Sequence, residues 1–168
     1  MTTLLRPATA ADVPALAALY AETARALGGW CYTPEQVAAW ASFGADTPAF
    51  RAYVLDADTW IAVDAEGRAL GFSGIDAAGE VHSLYVRHDQ VRRGLGSRLL
   101  ALGLARAADR GIERFAAWAT PFSRPVFERA GFTLAQRVVA DFEGVAFERL
   151  RMQADFGTSA APASTPRA

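Results

Sequence analysis

Apolar positions along the chain follow two spacings, which predict helices in some stretches and strands in others. In the first helical stretch, apolar residues three and four apart follow a hydroxyl and carboxylate start signal, and the helix should end near position 28. Similar start and stop signals predict helices over 33–42, 48–56, 94–109 and 121–130. Alternating or short apolar runs predict strands over 2–6, 59–63, 69–75, 81–86, 115–119, 132–139 and 145–152.

The order of these elements predicts their topology. Short turns at 64–67 and 77–79 join three strands into an antiparallel meander. The helix over 94–109 instead separates two strands, and such a crossover favours parallel pairing. The expected fold is α/β (α+β), with a mixed, mostly antiparallel sheet of about six to seven strands, flanking helices and a parallel β-α-β core around residues 81–119.

Composition is typical of one folded domain. Of 168 residues, 52% are hydrophobic, and 17 basic residues nearly balance 18 acidic ones, which does not favour binding to nucleic acid or to a membrane surface. The single Cys31 excludes an internal disulfide, and no apolar run approaches membrane-spanning length, so we expect a cytoplasmic protein. We expect one domain over 1–154 and a disordered tail over 155–168.

A glycine-rich loop lies between the predicted strand over 81–86 and the helix that follows it. Gly94 and Gly96 lack β-carbons, so a ligand can approach the amides that the first helical turn leaves unpaired. Four arginines between positions 87 and 98 concentrate positive charge there. These features favour a polyphosphate site. The simpler alternative is that the glycines only permit a tight turn, with the arginines on a solvated face.

Other motifs for phosphate, metal or hydrolase sites are excluded by spacing. A dinucleotide fingerprint needs a third glycine where Leu99 stands, and a nucleotide triphosphate loop needs a nearby lysine that is absent. Residues 71–74 lack the glycine spacing of a hydrolase nucleophile elbow. His82 and His88 have no second ligand pair at metal-site spacing, so we predict no metal.

Three segments resemble motifs of the GNAT superfamily of N-acetyltransferases. Residues 84–86 are similar to its aliphatic-Tyr-Val strand end, residues 92–97 to its glycine loop, and residues 127–132 to its aromatic-x-x-x-Gly-Phe segment. The resemblance covers roughly residues 3–154. It is closest to bacterial members with an aromatic-Thr-Pro helix start and a tryptophan soon after, here at 32–34 and Trp40.

This resemblance implies acetyl-CoA as acyl donor. The residues it implies for coenzyme binding are Leu84, Tyr85, Val86, Val91, Arg92, Arg93, Gly94, Leu95, Gly96, Ser97, Thr120 and Phe127. Loop amides would hold the pyrophosphate, and the amide of Tyr85 or Val86 would polarise the thioester carbonyl. Val91 stands where the family usually has Gln or Arg, so Arg92 or Arg93 would supply that side-chain contact.

The acceptor implied by the resemblance is a primary amine of a small molecule or peptide, which must lose a proton. If no bulge intervenes, Glu80 and His82 alternate on one predicted strand face with Leu84 and Val86, so either is a candidate base. The alternatives are a solvated strand-end carboxylate at 80 and a structural histidine at 82.

Other positions bear on the departing thiolate, on the coenzyme arm and on the acceptor, and each has an alternative interpretation. Many family members have Tyr where Phe127 stands, and Phe has no proton for the departing thiolate. Thr120 stands where the family often has Asn or Ser against the coenzyme arm, although a role as helix N-cap is the stronger reading. Trp30 and Tyr32 are candidates for acceptor binding, with a place in the core as the alternative.

Three functions are therefore open at this point. The leading one is acetyl transfer, and the others are acyl-CoA sensing without turnover and a protein-interaction role that keeps only the fold. Exposed hairpin edges near the C-terminus would also permit a homodimer.

Overall fold

Seven strands form one sheet in the computed structural model, which describes residues 3–157. They are β1 (Leu4–Pro7), β2 (Asp58–Val63), β3 (Ala69–Ile75), β4 (Glu80–Val86), β5 (Arg114–Ala119), β6 (Thr133–Phe142) and β7 (Val145–Asp155). Their order is β1-β2-β3-β4-β5-β7-β6, and every neighbouring pair is antiparallel except β4 and β5. The predicted mixed, mostly antiparallel sheet with a parallel β-α-β core is confirmed.

Five α-helices accompany the sheet in the same part of the chain: α1 (Val13–Leu27), α2 (Pro34–Ser42), α3 (Pro48–Leu55), α4 (Leu95–Asp109) and α5 (Arg124–Arg129). The start signal of α2 works as predicted, because the Thr33 hydroxyl accepts from the Gln36 amide at 3.2 Å and the Gln36 side chain accepts from the Thr33 amide at 2.9 Å. None of the described helices is both long and apolar enough to cross a membrane.

The sheet separates two apolar layers. On one face, α1 and α3 pack on β2 and β3, with Leu16 and Phe50 fully buried between them. On the other face, α4 covers the sheet centre through Leu99 and Leu100, which are also fully buried. Side chains that alternate along a strand therefore enter different layers, and each layer borders a different side of the sheet.

β4 and β5 pair at only two positions, at the beginning of β4 and in the middle of β5. Glu80 lies opposite Ala116 and Val81 opposite Ala117, after which β5 continues beside β7 alone. From His82 onward, β4 consequently has no strand partner on this side among the described residues. The divergence leaves an opening in the middle of the sheet.

β4 also contains a β-bulge. Gly74 of β3 pairs with Ser83, whereas the next residue, Ile75, pairs with Val81, so His82 is an extra residue on β4. An extra residue interrupts the regular alternation of side chains between the two faces.

This bulge decides where the candidate bases point. Leu84 and Val86 pack toward the face that carries α4. Glu80 and His82 instead line a cavity that borders the other face, together with Tyr85. The expectation that all four alternating side chains share one face is therefore wrong, because the strand alternation does not continue through His82.

The ordered structure extends past residue 154, where the sequence predicted that the domain ends. Asp155 is the last residue of β7, and the Phe156 amide donates to the Glu113 carbonyl at 2.8 Å. The remainder of the predicted disordered tail, from Thr158, lies outside the described residues, as do Met1 and Thr2. β6 is an edge of the sheet, and dimerisation through it stays a prediction.

Candidate active site

Two cavities meet where β4 and β5 diverge. One, of about 370 Å³, lies beside the N-terminus of α4, and the other, of about 520 Å³, lies on the side of α1, α2 and α3. The residues that line both are Trp40, Val81, His82, Tyr85, Trp118 and Thr120. The opening in the sheet thus connects the two spaces, which we call the loop cavity and the aromatic cavity.

The loop cavity is bounded by the segment between β4 and α4. Arg92 and Gly94 both have left-handed backbone, with φ of 62° and 77°, and such residues turn neighbouring amides toward a common point. The amides of residues 91–97 donate to no acceptor within the described part of the chain. A left-handed arginine is strained, and such strain is concentrated at ligand-binding loops. The segment has the geometry of an anion-binding nest.

The loop arginines differ in direction. Arg92 lines the loop cavity, whereas Arg93 borders a smaller cavity on the other side of the loop. Arg87 is held by Asp89, and its hydrogen bond to that carboxylate lowers the pKa of Asp89 to about 2. Arg129 of α5 also lines the loop cavity, and sequence reasoning missed it because only the tertiary fold brings α5 beside the loop.

Every residue predicted to bind the coenzyme lines the loop cavity, except Arg93. Thr120 is not the predicted helix N-cap, because α5 starts at Arg124 with Ser123 as its N-cap; the Thr120 hydroxyl accepts from the Ser123 amide at 3.0 Å in the turn before the helix. Phe127 is only 3% exposed, and its ring packs edge-on against Phe132 with centroids 5.3 Å apart. It forms an apolar wall with no hydroxyl.

The free edge of β4 offers backbone groups to the opening. The Arg87 amide donates to the Leu70 carbonyl, 2.9 Å away across the strand pair with β3. Since bonding direction alternates along a strand, Tyr85 also faces β3, whereas the amide and carbonyl of Val86 face the opening. The Thr23 hydroxyl accordingly donates to the Val86 carbonyl at 3.3 Å. Of the two amides predicted for the thioester, only that of Val86 is available to a ligand.

The aromatic cavity takes its name from the side chains that line most of it. These are Tyr20, Tyr32, Trp40, Phe43, Tyr53, Tyr85, Trp118, Phe142 and Phe147. Tyr85 is half-buried among them, with its ring 4.4 Å from that of Tyr20 and its hydroxyl accepting from the Trp40 indole at 3.2 Å. Burial raises the pKa of Tyr85, so its hydroxyl stays neutral.

The two aromatic residues predicted to bind the acceptor have different positions. The Tyr32 hydroxyl donates to the Glu148 carbonyl at 3.2 Å, and its ring packs against Phe147 inside the aromatic cavity. Trp30 is 76% exposed and lines neither cavity. A short 3-10 helix over Gly28–Trp30 carries it, so nearness in sequence to Tyr32 does not give a common direction.

Both candidate bases line the aromatic cavity, and each has a charged partner. Glu80 Oε1 accepts from Arg151 Nη1 at 2.6 Å. His82 Nε2 lies 2.9 Å from Asp76 Oδ2, and Asp76 Oδ1 accepts from the Glu80 amide at 2.9 Å. Sequence reasoning missed Asp76 and Arg151, because neither contact follows from spacing along the chain.

The state of Asp76 determines what His82 can do. Burial raises the pKa of the Asp76 carboxyl, but hydrogen bonds from the Glu80 amide and the His82 ring outweigh it and leave that pKa below its usual value. A charged Asp76 selects the His82 tautomer with the proton on Nε2. Nδ1 then carries the lone pair that can accept a proton.

Known proteins share this sequence pattern and fold. The family model of the acetyltransferase (GNAT) domain matches residues 31–154. A GCN5-related N-acetyltransferase from Rhodopseudomonas palustris is 27% identical, with a TM-score of 0.86 and coverage of 92% of this chain and 96% of its own. A comparison with curated proteins found no match.

Two more distant structures contain the coenzyme. The PaiA N-acetyltransferase from Thermoplasma acidophilum, in complex with coenzyme A, is 17% identical, with a TM-score of 0.73 and coverage of 93% and 100% of the two chains. YncA from Salmonella typhimurium, with its cofactor acetyl-CoA, is 19% identical, with a TM-score of 0.66 and coverage of 98% and 100%. At these identities the likeness establishes the fold.

Proposed function

The chain belongs to the GNAT acetyltransferase family, and from this premise we propose that it transfers the acetyl group of acetyl-CoA to a primary amine. The observation that carries the proposal is the continuity of the two cavities through the opening between β4 and β5. A donor held by the loop and an amine held among the aromatic side chains meet at that opening. Direct attack of one bound reactant on another requires such a shared space.

The donor side of the proposal rests on backbone groups. The unpaired amides of residues 91–97 and the Arg92 side chain suit the pyrophosphate of the coenzyme. The pantetheine arm then extends along the free edge of β4 in the manner of an added strand. The Val86 amide faces the opening, where it can donate to the carbonyl oxygen as negative charge develops there.

His82 is the base that we propose for the amine. Its ring is oriented by Asp76, it borders both cavities, and its Nδ1 is left to accept the proton. At pH 7 the protonated form of a primary amine exceeds the neutral form by about a thousandfold, so a base is needed to remove the proton before the amine can attack. Glu80 has one oxygen occupied by Arg151, and we assign it the attraction of the ammonium form.

The thiolate can leave without a tyrosine at 127. Thiols have a pKa of about 8.5, so the thiolate is a much better leaving group than an alkoxide. The Thr120 hydroxyl donates to Ser123 Oγ at 3.2 Å on the wall of the loop cavity, and its proton can turn to the sulfur instead.

Thiol release from acetyl-CoA across a panel of primary amines tests this function. We expect amine-dependent release by the wild type, and His82→Ala should lower kcat by about 100- to 1000-fold, the usual contribution of a positioned base. Glu80→Gln should lower kcat by less than about tenfold, since glutamine keeps an oxygen that can accept from Arg151 in this half-buried pair. His88→Ala is the matched control, because His88 is exposed and lines neither cavity.

Calorimetry with acetyl-CoA separates the competing functions. Binding without turnover on any amine would favour a sensor, for which the buried Phe127 is the supporting observation. No binding at millimolar ligand would contradict both coenzyme functions and leave an interaction domain. Equal rates in His82→Ala and wild type would reject the base assignment alone.

A further inference from the structure

Two of the four acidic or basic side chains that line the aromatic cavity have a partner of opposite charge. Glu80 is paired with Arg151 at 2.6 Å, and His82 with Asp76 at 2.9 Å. Arg149 differs from them, because it forms no ion pair and no hydrogen bond with any residue that the structure describes. The lining therefore contains one positive charge that the described chain does not neutralise.

Asp141 is the remaining carboxylate of the lining, and it lies too far along the hairpin to pair with Arg149. Arg149 of β7 is opposite Val138 of β6, so Asp141 is displaced by three residues, or roughly 10 Å at the usual rise of a strand. Its Oδ1 accepts instead from the Gly144 amide at 3.1 Å, which stabilises the hairpin turn.

Arg149 is held in place by Trp118. Its guanidinium carbon lies 4.8 Å from the centre of the Trp118 ring, and that of Arg151 lies 4.9 Å from the same ring. Stacking on an aromatic face fixes the guanidinium plane and leaves its N–H donors at the edge for another group. Arg151 uses its donors on Glu80, whereas those of Arg149 are available to a ligand.

The charge of Arg149 also acts on the hydroxyls of the cavity. Burial raises the pKa of Tyr32 to about 12 and raises the pKa values of Tyr53 and Tyr85, and the positive charge of Arg149 opposes the rise at all three. These tyrosines come from the α2 start, α3 and β4. Arg149 thus influences several sides of the cavity.

The size and closure of the aromatic cavity suit a small molecule. Its volume of about 520 Å³ is within the range of ligand pockets. The β6–β7 hairpin is tied to α2 on that side, because Gln36 Nε2 donates to the Ala146 carbonyl at 2.6 Å and the Tyr32 hydroxyl to the Glu148 carbonyl. These two bonds join the hairpin to the start of α2 along one wall of the cavity.

We infer that the acceptor is an amino acid, or a closely related amine-bearing carboxylic acid, with an apolar or aromatic side chain, and that Arg149 binds its carboxylate. The inference rests on the proposed function, because it names the class of amine that is acetylated. Arg149 and Arg151 are two residues apart on one face of β7, roughly 7 Å along the strand. The carboxylate-binding group and the Glu80 end of the cavity are therefore separated by about the length of one amino acid.

Matched pairs of acceptors test the inference. L-phenylalanine is compared with 2-phenylethylamine, and L-leucine with 3-methylbutylamine, so that each pair differs only by the carboxylate. Wild type should favour the acid, with a kcat/KM at least tenfold above that of the amine. Arg149→Gln should lower this ratio by about tenfold or more, through a higher KM for the acid, as expected for loss of a charge-assisted bidentate contact.

Arg137→Gln is the control, because Arg137 lies on the same hairpin, pairs with Glu148 at 2.7 Å and does not line the cavity. It should leave the ratio unchanged. A wild-type preference for the decarboxylated amines, or an unchanged ratio in Arg149→Gln, would overturn the inference and leave the proposed function standing.

A binding measurement keeps the inference testable if no amine is acetylated, which would be a failure of the proposed function itself. Calorimetry on the protein saturated with coenzyme A then compares L-phenylalanine with 2-phenylethylamine. Binding of the acid that is tighter than that of the amine in wild type and weakened by Arg149→Gln would support the inference. Equal binding of the two compounds, or none, would overturn it.

Discussion

The loop cavity and the aromatic cavity are built in different ways. The loop cavity owes its backbone anion-binding groups to one continuous segment, residues 91–97, whose unpaired amides are presented by local backbone geometry. The aromatic cavity assembles side chains from three helices, two central strands and the β6–β7 hairpin. A site built from backbone amides keeps its binding groups when many of its side chains are replaced. A site built from side chains loses or alters a binding group with each substitution. The donor site is thus readable locally, and acceptor specificity is a property of the whole fold.

The largest effect is expected from a variant that disrupts the backbone amides of the loop cavity. In Gly94→Val, a β-branched residue cannot adopt the left-handed backbone found there, so the loop must rearrange. Loss of two amide bonds to a charged phosphate costs about 3 kcal/mol, which corresponds to at least roughly 100-fold weaker acetyl-CoA binding by calorimetry.

Gly111→Val supplies the matched control for this change. Gly111 has the same left-handed backbone, with φ of 82° against 77° at Gly94, and an added β-carbon meets no atom within 4 Å at either position. Both variants suffer similar backbone strain, but only the first should lose the coenzyme. Equal losses in both would mean that the loop acts through stability and not as a nest.

An intermediate effect is expected on the acceptor side. Asp76→Asn keeps an oxygen for the turn amides of Ala78 and Glu80 but removes the charge that orients His82. We expect kcat to fall by about 10- to 100-fold while acetyl-CoA binding is retained.

Asp64→Asn is the control for that variant, since Asp64 also accepts a turn amide, at 2.8 Å from Arg68, and lines neither joined cavity. Asp76 is charged at neutral pH, because the hydrogen bonds that it accepts hold its pKa below the usual value for a carboxyl group. An unchanged kcat in Asp76→Asn would argue that Asp76 only stabilises the turn.

The smallest effect is expected from substitutions at two neighbouring arginines of the loop, which should differ in their influence on acetyl-CoA binding. Arg92→Gln should weaken acetyl-CoA binding by about three- to tenfold, and less at high salt, because an exposed charge is strongly screened. Arg93→Gln should change it little, since Arg93 borders a different cavity. Calorimetry at two salt concentrations measures both, and a larger loss in Arg93→Gln would show that the coenzyme lies on the other side of the loop.

Elements with local signals could be predicted well. Thr33 and Gln36 sit three residues apart and cap each other at the start of α2, and the helix between β4 and β5 dictates their parallel pairing. Gly94 and Gly96 follow a strand and precede a helix, which is enough to propose an anion site. In each case the interacting groups are close in sequence, so spacing reports their geometry.

Contacts between distant segments could not be predicted in this way. The bulge at His82 depends on how β3 and β4 pair, and it sends Glu80 and His82 to a different side from Leu84. Arg149 lines the cavity because β7 pairs with β5. Trp30 lies outside the cavity because a 3-10 helix turns its side chain outward.

By itself the sequence determined the order of helices and strands, the crossover and the glycine loop, because hydrogen bonding and periodicity act over a few residues. Only the tertiary structure decided that β4 and β5 diverge, that Asp76 orients His82 and that Arg149 is left without a carboxylate. These features arise where segments far apart in sequence pack together, and packing depends on the shape and charge of all the side chains that meet there.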